Sequence, residues 1–200
     1  MSTRSPLEYL CEQREAAIGK KDPSANYCTF ATLEEQGTTQ VRTRTLVVRD
    51  VSADSCLLFV NRLAKKNLLS LSDVSAEALF FYPSLMSQFR LRGCLSLMDS
   101  SDLEKHWHHK PYESKLLDHY YARYQNQSSV LPDRASLEHA MAELKSLFPN
   151  PEKVPYIENA LGLIITADYL EIWQAHVSGV HDRSLFTKQG AKWQEQVLVP

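Results

Sequence analysis

The sequence predicts a mostly β fold, an antiparallel barrel or sandwich with helical additions. Apolar and polar residues follow the period of strands in about eight separate segments. Helical patterns occur at the start and in the middle of the chain and do not alternate regularly with strands, which disfavours a doubly wound sheet. The composition, with 44% hydrophobic and 23% charged residues, is that of a globular chain able to bury a core.

The first predicted element is a helix over about residues 5–19. Ser5 is a suitable N-cap, and Pro6 is tolerated in the first turn because its missing N–H has no partner there. Glu8 completes a capping box. The predicted apolar face consists of Leu7, Leu10, Cys11 and Ile18.

Strand patterns begin at Tyr27. We expect strands over 27–33, 38–51, 56–61, 78–82 and 87–98, with a hairpin connection at 34–37 and a short helix over 64–71. Helices follow over 101–109, 112–124 and 134–148, and strands return over 161–167, 169–175, 185–188 and 193–199. These elements fit a single domain over 1–200, with a helical insertion at about 101–148 and C-terminal strands at about 161–200.

Charge and cysteine usage limit the function classes. The chain has 22 Lys and Arg residues against 24 Asp and Glu residues, and this near-neutral balance argues against nucleic acid as a partner. No apolar run is long enough for a membrane span, and the start lacks a signal-peptide layout. Widely spaced cysteines in mostly apolar surroundings favour reduced thiols over a disulfide framework. The sequence therefore predicts a cytoplasmic protein.

Two polar features are candidates for binding. Lys65 and Lys66 fall in the first turn of the predicted helix over 64–71, where free backbone N–H groups attract anions. A bound phosphate or a solvated surface turn explains them. Gln88, Arg90 and Arg92 share one face of an alternating strand, which can hydrogen-bond a planar heterocycle or be the hydrated side of a sheet.

The histidines do not predict a metal site. On a helix, His106 and His109 share a face while His108 points elsewhere, and no carboxylate or thiolate stands at ligand spacing. The sequence His181-Asp182-Arg183 is only superficially like a catalytic fragment, since neighbours in an extended segment face opposite ways. No nucleophile elbow, phosphate-binding loop or dinucleotide fingerprint is present.

An ordered set of short motifs carries a family resemblance. In chain order they are Asn26–Leu33, Arg44–Arg49, Phe59–Asn61 with Lys65 and Lys66, Ser87–Gly93, Lys110-Pro111 with Ser114, Gln127–Val130, Glu171–Gln174, His181–Arg183 and Trp193–Pro200. In order and spacing this set resembles the pyridoxamine 5′-phosphate oxidases, flavoproteins with the FMN-binding split-barrel fold. Each motif is weak alone, whereas the set spans residues 27–200.

The resemblance implies FMN as the cofactor and a homodimer with FMN at the subunit interface. Basic and polar side chains would hold the flavin phosphate and ribityl chain, and Gln88, Trp173 and Arg183 would contact the isoalloxazine ring. The positive charge of Arg183 would favour the reduced flavin. The implied cofactor set is Arg44, Thr45, Leu46, Val47, Lys65, Lys66, Gln88, Gln127, Ser128, Trp173 and Arg183.

The resemblance also implies a site for a small, phosphorylated substrate. The positions that match the family's phosphate ligands are Arg49, His106, Lys110 and Ser114; three differ from the family's residues but keep cations or donors. Over the substrate ring the family has an Arg and a His, where this chain has Gly179 and His181. His181 is the implied catalytic residue, which would orient the reacting end of the substrate or exchange a proton with it.

Three functions are open on these grounds. The first, which we expect, is an oxidase that forms pyridoxal 5′-phosphate from pyridoxamine or pyridoxine 5′-phosphate, a reaction of vitamin B6 metabolism, with oxygen as the acceptor. The second is an FMN-dependent oxidoreductase of the same family with a different small heterocyclic substrate. Gly179 favours it because the cavity above the flavin would be wider and less basic. The third is a flavin-binding protein without turnover.

Overall fold

The structure is a computed structural model and describes residues 5–36, 38–61, 75–98 and 100–200. The helices are α1 (Pro6–Gly19), α2 (Ser100–Lys105), α3 (Tyr112–Arg123) and α4 (Arg134–Leu147). The strands are β1 (Tyr27–Gln36), β2 (Thr38–Val51), β3 (Ser55–Asn61), β4 (Ser75–Tyr82), β5 (Ser87–Leu97), β6 (Ala160–Gln174), β7 (Asp182–Gln189) and β8 (Lys192–Val197). None of the helices in the described ranges is both long and apolar enough to cross a membrane.

A six-stranded antiparallel barrel is built from the strands in the order β3-β2-β1-β4-β5-β6, and a further pairing of β3 with β6 closes it. Strands β7 and β8 continue the sheet beyond β6 as an antiparallel hairpin. The barrel interior is filled by large apolar side chains that are completely buried: Phe30, Leu58, Phe80, Phe89, Leu91 and Ile165. The predicted mostly β fold with helical additions is confirmed.

Strand β5 has one buried and one polar face. Phe89 and Leu91 are buried, whereas Gln88 and Arg90 are half-buried on the opposite face and Arg92 is exposed there. This confirms the predicted division of the strand, because successive side chains point to opposite faces of a sheet. The outer face of β5 thereby brings polar side chains next to the same faces of β4 and β6.

The described residues divide into two compact units. The first contains those of Met1–Phe59, Ser70–Ser96 and Leu163–Pro200, and the second those of Val60–Leu69 and Leu97–Gly162. The second unit includes the predicted helical insertion, and its helices α3 and α4 pack through buried side chains of Leu116, Tyr120, Ala140 and Leu144. A single domain over the whole chain stays a prediction.

Several strand boundaries differ from those predicted: β4 begins at Ser75 and not at 78, β7 begins at Asp182 and not at 185, and β8 ends at Val197 and not at 199. The strands expected over 161–167 and 169–175 are one continuous strand, because Asp168 is exposed and the strand runs through it without interruption. Strand β1 continues to Gln36, which pairs with Thr38, so the connection is shorter than the predicted 34–37. The threonines of β2 favour this extension, since β-branched residues suit a pleated strand.

Two of the predicted helices differ from the structure, and a third lies outside the described residues. Helix α2 ends at Lys105 and Trp107–His109 form a separate 3-10 turn, so His106 and His109 do not share one α-helix as expected. In α1, Ile18 is 44% exposed and Ala17 is buried instead. Ala17 lies two helical turns after the buried Leu10 and therefore shares its face. The predicted helix over 64–71 lies outside the described residues.

We expect Gly93→Ala to destabilise the barrel. A Cβ at this position would lie 1.9 Å from the carbonyl oxygen of Thr166, and that backbone atom cannot move without disturbing β6. The expected loss in the free energy of unfolding is about 3 kcal/mol, measured by urea denaturation. Gly19→Ala is the matched control because its Cβ would meet nothing within 4 Å. Equal stability of the two variants would contradict the close approach of the two strands.

Candidate active site

Four charged side chains form a line across four neighbouring strands of the first unit. Nε of Arg90 on β5 donates to Oε1 of Glu77 on β4 at 3.0 Å. Nη1 of Arg90 donates to Oε2 of Glu171 on β6 at 3.2 Å. Nη2 of Arg183 on β7 donates to Oε1 of Glu171 at 2.7 Å. We call Glu77, Arg90, Glu171 and Arg183 the charge line; its signs alternate from strand to strand.

Glu171 is the most buried member of the charge line. Its side chain is 6% exposed, against 28% for Arg183 and 40% for Arg90. The hydroxyl of Tyr169 donates to its Oε2 at 3.1 Å. Burial by itself would raise the pKa of Glu171, but hydrogen bonds from Arg183 and Tyr169, together with the charges of Arg183 and Arg90, lower it overall. Glu171 is therefore an ionised carboxylate at neutral pH.

Three of the predicted site residues lie together where β6 meets β7. Trp173 is directly opposite Arg183 in the strand register, and the ring centroids of Trp173 and His181 are 4.8 Å apart with the planes tilted by 52°. Nη1 of Arg183 donates to the carbonyl oxygen of Val199 at 3.2 Å. Nε of Arg183 is buried and has no hydrogen-bond partner among the described residues. The cluster thus combines an indole, an imidazole and an unpartnered guanidinium N–H.

Most of the other predicted cofactor residues of the first unit lie on strands. Arg44 is opposite Phe30 of β1 in the ladder, and Gln88 of β5 is half-buried opposite Phe81 of β4. The next three positions of β2, Thr45, Leu46 and Val47, pair with Thr29, Cys28 and Tyr27. Lys65 and Lys66 lie outside the described residues.

Arg49 is a partly buried cation with an incomplete set of hydrogen bonds. It lies where the register of β2 against β3 shifts, between Val48 and Asp50, and its guanidinium carbon is 5.1 Å from the centroid of the Phe59 ring. Burial lowers the pKa of Arg49, and its buried Nε has no hydrogen-bond partner in the part of the chain that the structure describes. An anion bound to this guanidinium would supply the missing acceptor.

Lys110, in the second unit, forms an ion pair with Asp118 of α3. The two side chains are only 19% and 8% exposed, and Nζ of Lys110 also lies 5.6 Å from the centroid of the Trp107 ring. Burial raises the pKa of Asp118, whereas the charges of Lys110 and His119 act in the opposite direction. Lys110 therefore has a carboxylate partner within its own unit and differs from an unpaired phosphate ligand.

The remaining predicted residues of the second unit lie near the ends of helices. His106 precedes the turn at Trp107–His109, and Ser114 is in the first turn of α3. Gln127 and Ser128 are exposed in the turn that follows α3, and Ser128 has a φ of 68°. This left-handed conformation is uncommon for a residue other than glycine, and such strain clusters at binding sites.

Gly179 lies in the exposed turn between β6 and β7. Its φ is +80°, and a Cβ there would meet nothing within 4 Å. Its N–H donates to the carbonyl oxygen of His176 at 3.0 Å. Val177 and Val180 in the same turn are exposed, and no Lys or Arg lies between β6 and β7. The turn offers space where a longer side chain would project.

The sequence alone did not identify the partners of the predicted cations. Glu171 shares a face of β6 with Trp173, so a strict two-residue periodicity was a signal that would have included it. Nothing in the sequence marks Glu77 as a partner of Arg90, because that contact depends on the order of strands in the sheet. The pairing of Asp118 with Lys110 likewise depends on how α3 packs.

Comparison with known proteins agrees with this architecture. Residues 5–99 match the model of the pyridoxamine 5′-phosphate oxidase FMN-binding domain. A pyridoxine/pyridoxamine 5′-phosphate oxidase of a Psychrobacter species is 29% identical over 98% of this chain and 90% of its own length. The crystal structure of PhzG from Burkholderia lata in complex with tetrahydrophenazine-1-carboxylic acid superposes with a TM-score of 0.81 at 18% identity, covering 98% of this chain and 93% of PhzG. A pyridoxamine 5′-phosphate oxidase-related, FMN-binding protein from Nostoc punctiforme superposes with a TM-score of 0.73 at 16% identity, and the superposition covers 100% of each chain.

The fold and the match together define an FMN-binding split-barrel protein of the flavin-dependent oxidoreductases, as predicted. The match of residues 5–99 to the FMN-binding domain of the pyridoxamine 5′-phosphate oxidases agrees with the resemblance predicted from the sequence. FMN as the cofactor is confirmed with it. The residues present fit such a group, because Trp173 supplies an aromatic surface and Arg183 has a buried N–H without a partner among the described residues.

We expect Lys110→Met to cost about 3 kcal/mol in the free energy of unfolding, because it leaves the buried carboxylate of Asp118 without its cation. Lys105→Met is the matched control. It removes a lysine from an exposed pair with Asp102, whose side chains are 75% and 46% exposed, and is expected to leave the free energy of unfolding nearly unchanged because solvent screens the pair. Chemical denaturation of both variants measures the difference. Equal costs would argue against a structural role for the Lys110 pair.

Proposed function

We propose that the protein is an FMN-dependent oxidase that forms pyridoxal 5′-phosphate from pyridoxamine or pyridoxine 5′-phosphate, with oxygen as the electron acceptor. The observation that carries this proposal is the cluster of Trp173, His181 and Arg183, which combines an aromatic surface, a titratable ring and a cation. The relative from Psychrobacter is named for the same reaction. The four free cysteines support a cytoplasmic location, since thiols persist where the compartment is reducing.

The chemistry that a bound FMN would supply is acceptance of a hydride from the substrate carbon that bears the amine or alcohol, with oxygen as the final acceptor of the electrons. Arg183 would place its positive charge beside the ring, and Trp173 would pack against it. His181, whose imidazole lies against Trp173, would hold or remove the proton on the amine nitrogen or alcohol oxygen of the substrate. Fixing substrate and cofactor in contact supplies most of the acceleration in such a site.

Two groups of residues would hold the phosphates. We assign the flavin phosphate and ribityl chain to Arg44, Lys65, Lys66, Gln127 and Ser128, together with the backbone of Thr45, Leu46 and Val47. The amide of Gln88 is assigned to the ring. Arg49, His106, Lys110 and Ser114 are assigned to the substrate. The Nε of Arg49, which has no partner among the described residues, supports an anion at that position, and the left-handed backbone of Ser128 supports a binding role for its turn.

The proposal includes a two-fold dimer with FMN at the interface. Apolar side chains on strands β1, β2 and β4 support it because they are between 37% and 69% exposed: Tyr27, Leu33, Val41, Val47 and Phe81. Tyr27 is paired with Val47 and Leu33 with Val41, and exposed apolar side chains of this kind are typical of a protein–protein interface. In a closed two-fold dimer the same patch of each subunit would meet its copy.

The test is an anaerobic titration of the FMN-loaded protein with pyridoxamine 5′-phosphate. We expect the absorbance of oxidised flavin to disappear, and oxygen to restore it with one peroxide formed per pyridoxal 5′-phosphate. Unphosphorylated pyridoxamine serves as the control substrate and is expected to react far more slowly. Bound flavin that no B6 phosphate reduces would contradict the substrate, whereas a protein that binds no FMN would contradict the proposal as a whole.

A different small heterocycle is the second candidate for the substrate. Two observations favour it: Lys110 is paired with Asp118, and Gly179 stands where the family has an Arg. Both reduce the positive charge available to a phosphorylated substrate. An FMN-loaded protein reduced by an unphosphorylated heterocycle and not by the B6 phosphates would support this alternative.

We expect Gly179→Arg to raise kcat/KM for pyridoxamine 5′-phosphate about tenfold, because it restores a cation over the substrate ring. The open space around this position accommodates the side chain, although the left-handed backbone costs about 1 kcal/mol of stability. Gly179→Gln is the matched control, since it carries the same backbone cost without the charge. Steady-state kinetics at equal FMN content compare the two. An equal gain from both variants, or none from Arg, would remove position 179 from the substrate site.

A further inference from the structure

We infer that Glu171 is a positioning residue that fixes the guanidinium of Arg183 and offsets its charge, and thereby lowers the reduction potential of the bound flavin. This inference rests on the proposed function in one respect, the placement of Arg183 beside the isoalloxazine ring. It concerns a residue with no direct part in binding. Glu171 acts on the flavin through its contact with Arg183.

Both carboxylate oxygens of Glu171 are engaged by donors of the protein. Its Oε1 accepts from Arg183 at 2.7 Å, and its Oε2 accepts from Arg90 at 3.2 Å and from the hydroxyl of Tyr169 at 3.1 Å. The side chain is only 6% exposed. A buried carboxylate engaged on both oxygens holds its partners and does not itself reach a bound molecule.

The guanidinium of Arg183 is held at two points. Its Nη2 donates to Glu171 and its Nη1 donates to the carbonyl oxygen of Val199, whereas its Nε is buried and has no partner among the described residues. The backbone carbonyl of Arg183 also accepts from the N–H of Leu198 at 2.9 Å. The bond to Glu171 is the ion pair among these restraints. We infer that it determines both the direction of the guanidinium of Arg183 and the effective charge of that group.

The charge line is balanced as a whole. Glu77 and Glu171 supply two negative charges, and Arg90 and Arg183 supply two positive ones. Arg92 and Asp168 form a separate neighbouring pair at 4.0 Å. Removing the charge of Glu171 leaves one positive charge in excess next to Arg183. A reduced flavin carries more negative charge than the oxidised form, so this excess would stabilise the reduced form.

The test measures the reduction potential of FMN in the Glu171→Gln protein. Glutamine keeps the size of the side chain and one acceptor oxygen but removes the charge. We expect the preference for reduced over oxidised flavin to increase about tenfold, which is a rise of about 30 mV for a two-electron couple. Glu77→Gln is the matched control. It makes the same change of charge in the same line, but Glu77 contacts Arg90 and not Arg183, and we expect less than a threefold effect.

A double-mutant cycle with Arg183→Gln tests whether the effect passes through Arg183. The Glu171→Gln shift is expected to vanish in the Arg183→Gln background. A shift that persists there, or one that Glu77→Gln equals, would overturn the inference. Glu171→Asp provides the second variant if Glu171→Gln folds poorly: it keeps the charge and is expected to keep the wild-type potential, and a tenfold shift in it would count against charge as the cause. Wild-type protein without FMN affinity would overturn the proposed function and this inference together, whereas FMN-loaded protein with no Glu171-specific shift would overturn this inference alone.

Discussion

The pairing of β3 with β6 is the constraint on which the structure of the first unit depends. A sheet of these strands without that pairing would leave two edges with unpaired N–H and C=O groups and would expose the apolar faces of its strands. Closure buries Phe30, Phe80 and Phe89 inside and turns the polar faces of the strands outward. Because β6 runs past the barrel to pair with β7, it also carries Glu171 and Trp173 to the candidate site.

Fewer cations are available to bind an anionic ligand than the number of Lys and Arg residues suggests. Arg90, Arg183 and Lys110 all have carboxylate partners, so their charges are already offset within the units that contain them. Arg49 is different, since burial lowers its pKa and its Nε lacks a partner among the described residues. A phosphate or carboxylate of a substrate gains most from the cation that the protein itself leaves least satisfied.

Local pattern predicted much of the fold, and long-range pairing accounts for what it missed. The alternation in β5 and the capped start of α1 are readable because they depend on neighbours within one element. The continuity of β6 through Asp168 could not be predicted, because a polar residue in the middle of a strand looks like a break until its exposed position in the sheet is known. The order of motifs indicated the family, yet the partners Glu77, Glu171 and Asp118 lie on other strands or depend on helix packing and leave no local mark.

The alternating signs of the charge line have an evolutionary consequence. Each of its four members pairs with an opposite charge on a neighbouring strand, so reversing or deleting one charge leaves a neighbour uncompensated, most severely around the buried carboxylate of Glu171. Single substitutions at these positions therefore reduce the stability of the protein. Divergent copies of this fold would therefore be expected to exchange these residues as matched sets, and a lineage that replaced them with apolar side chains would have to do so on all four strands.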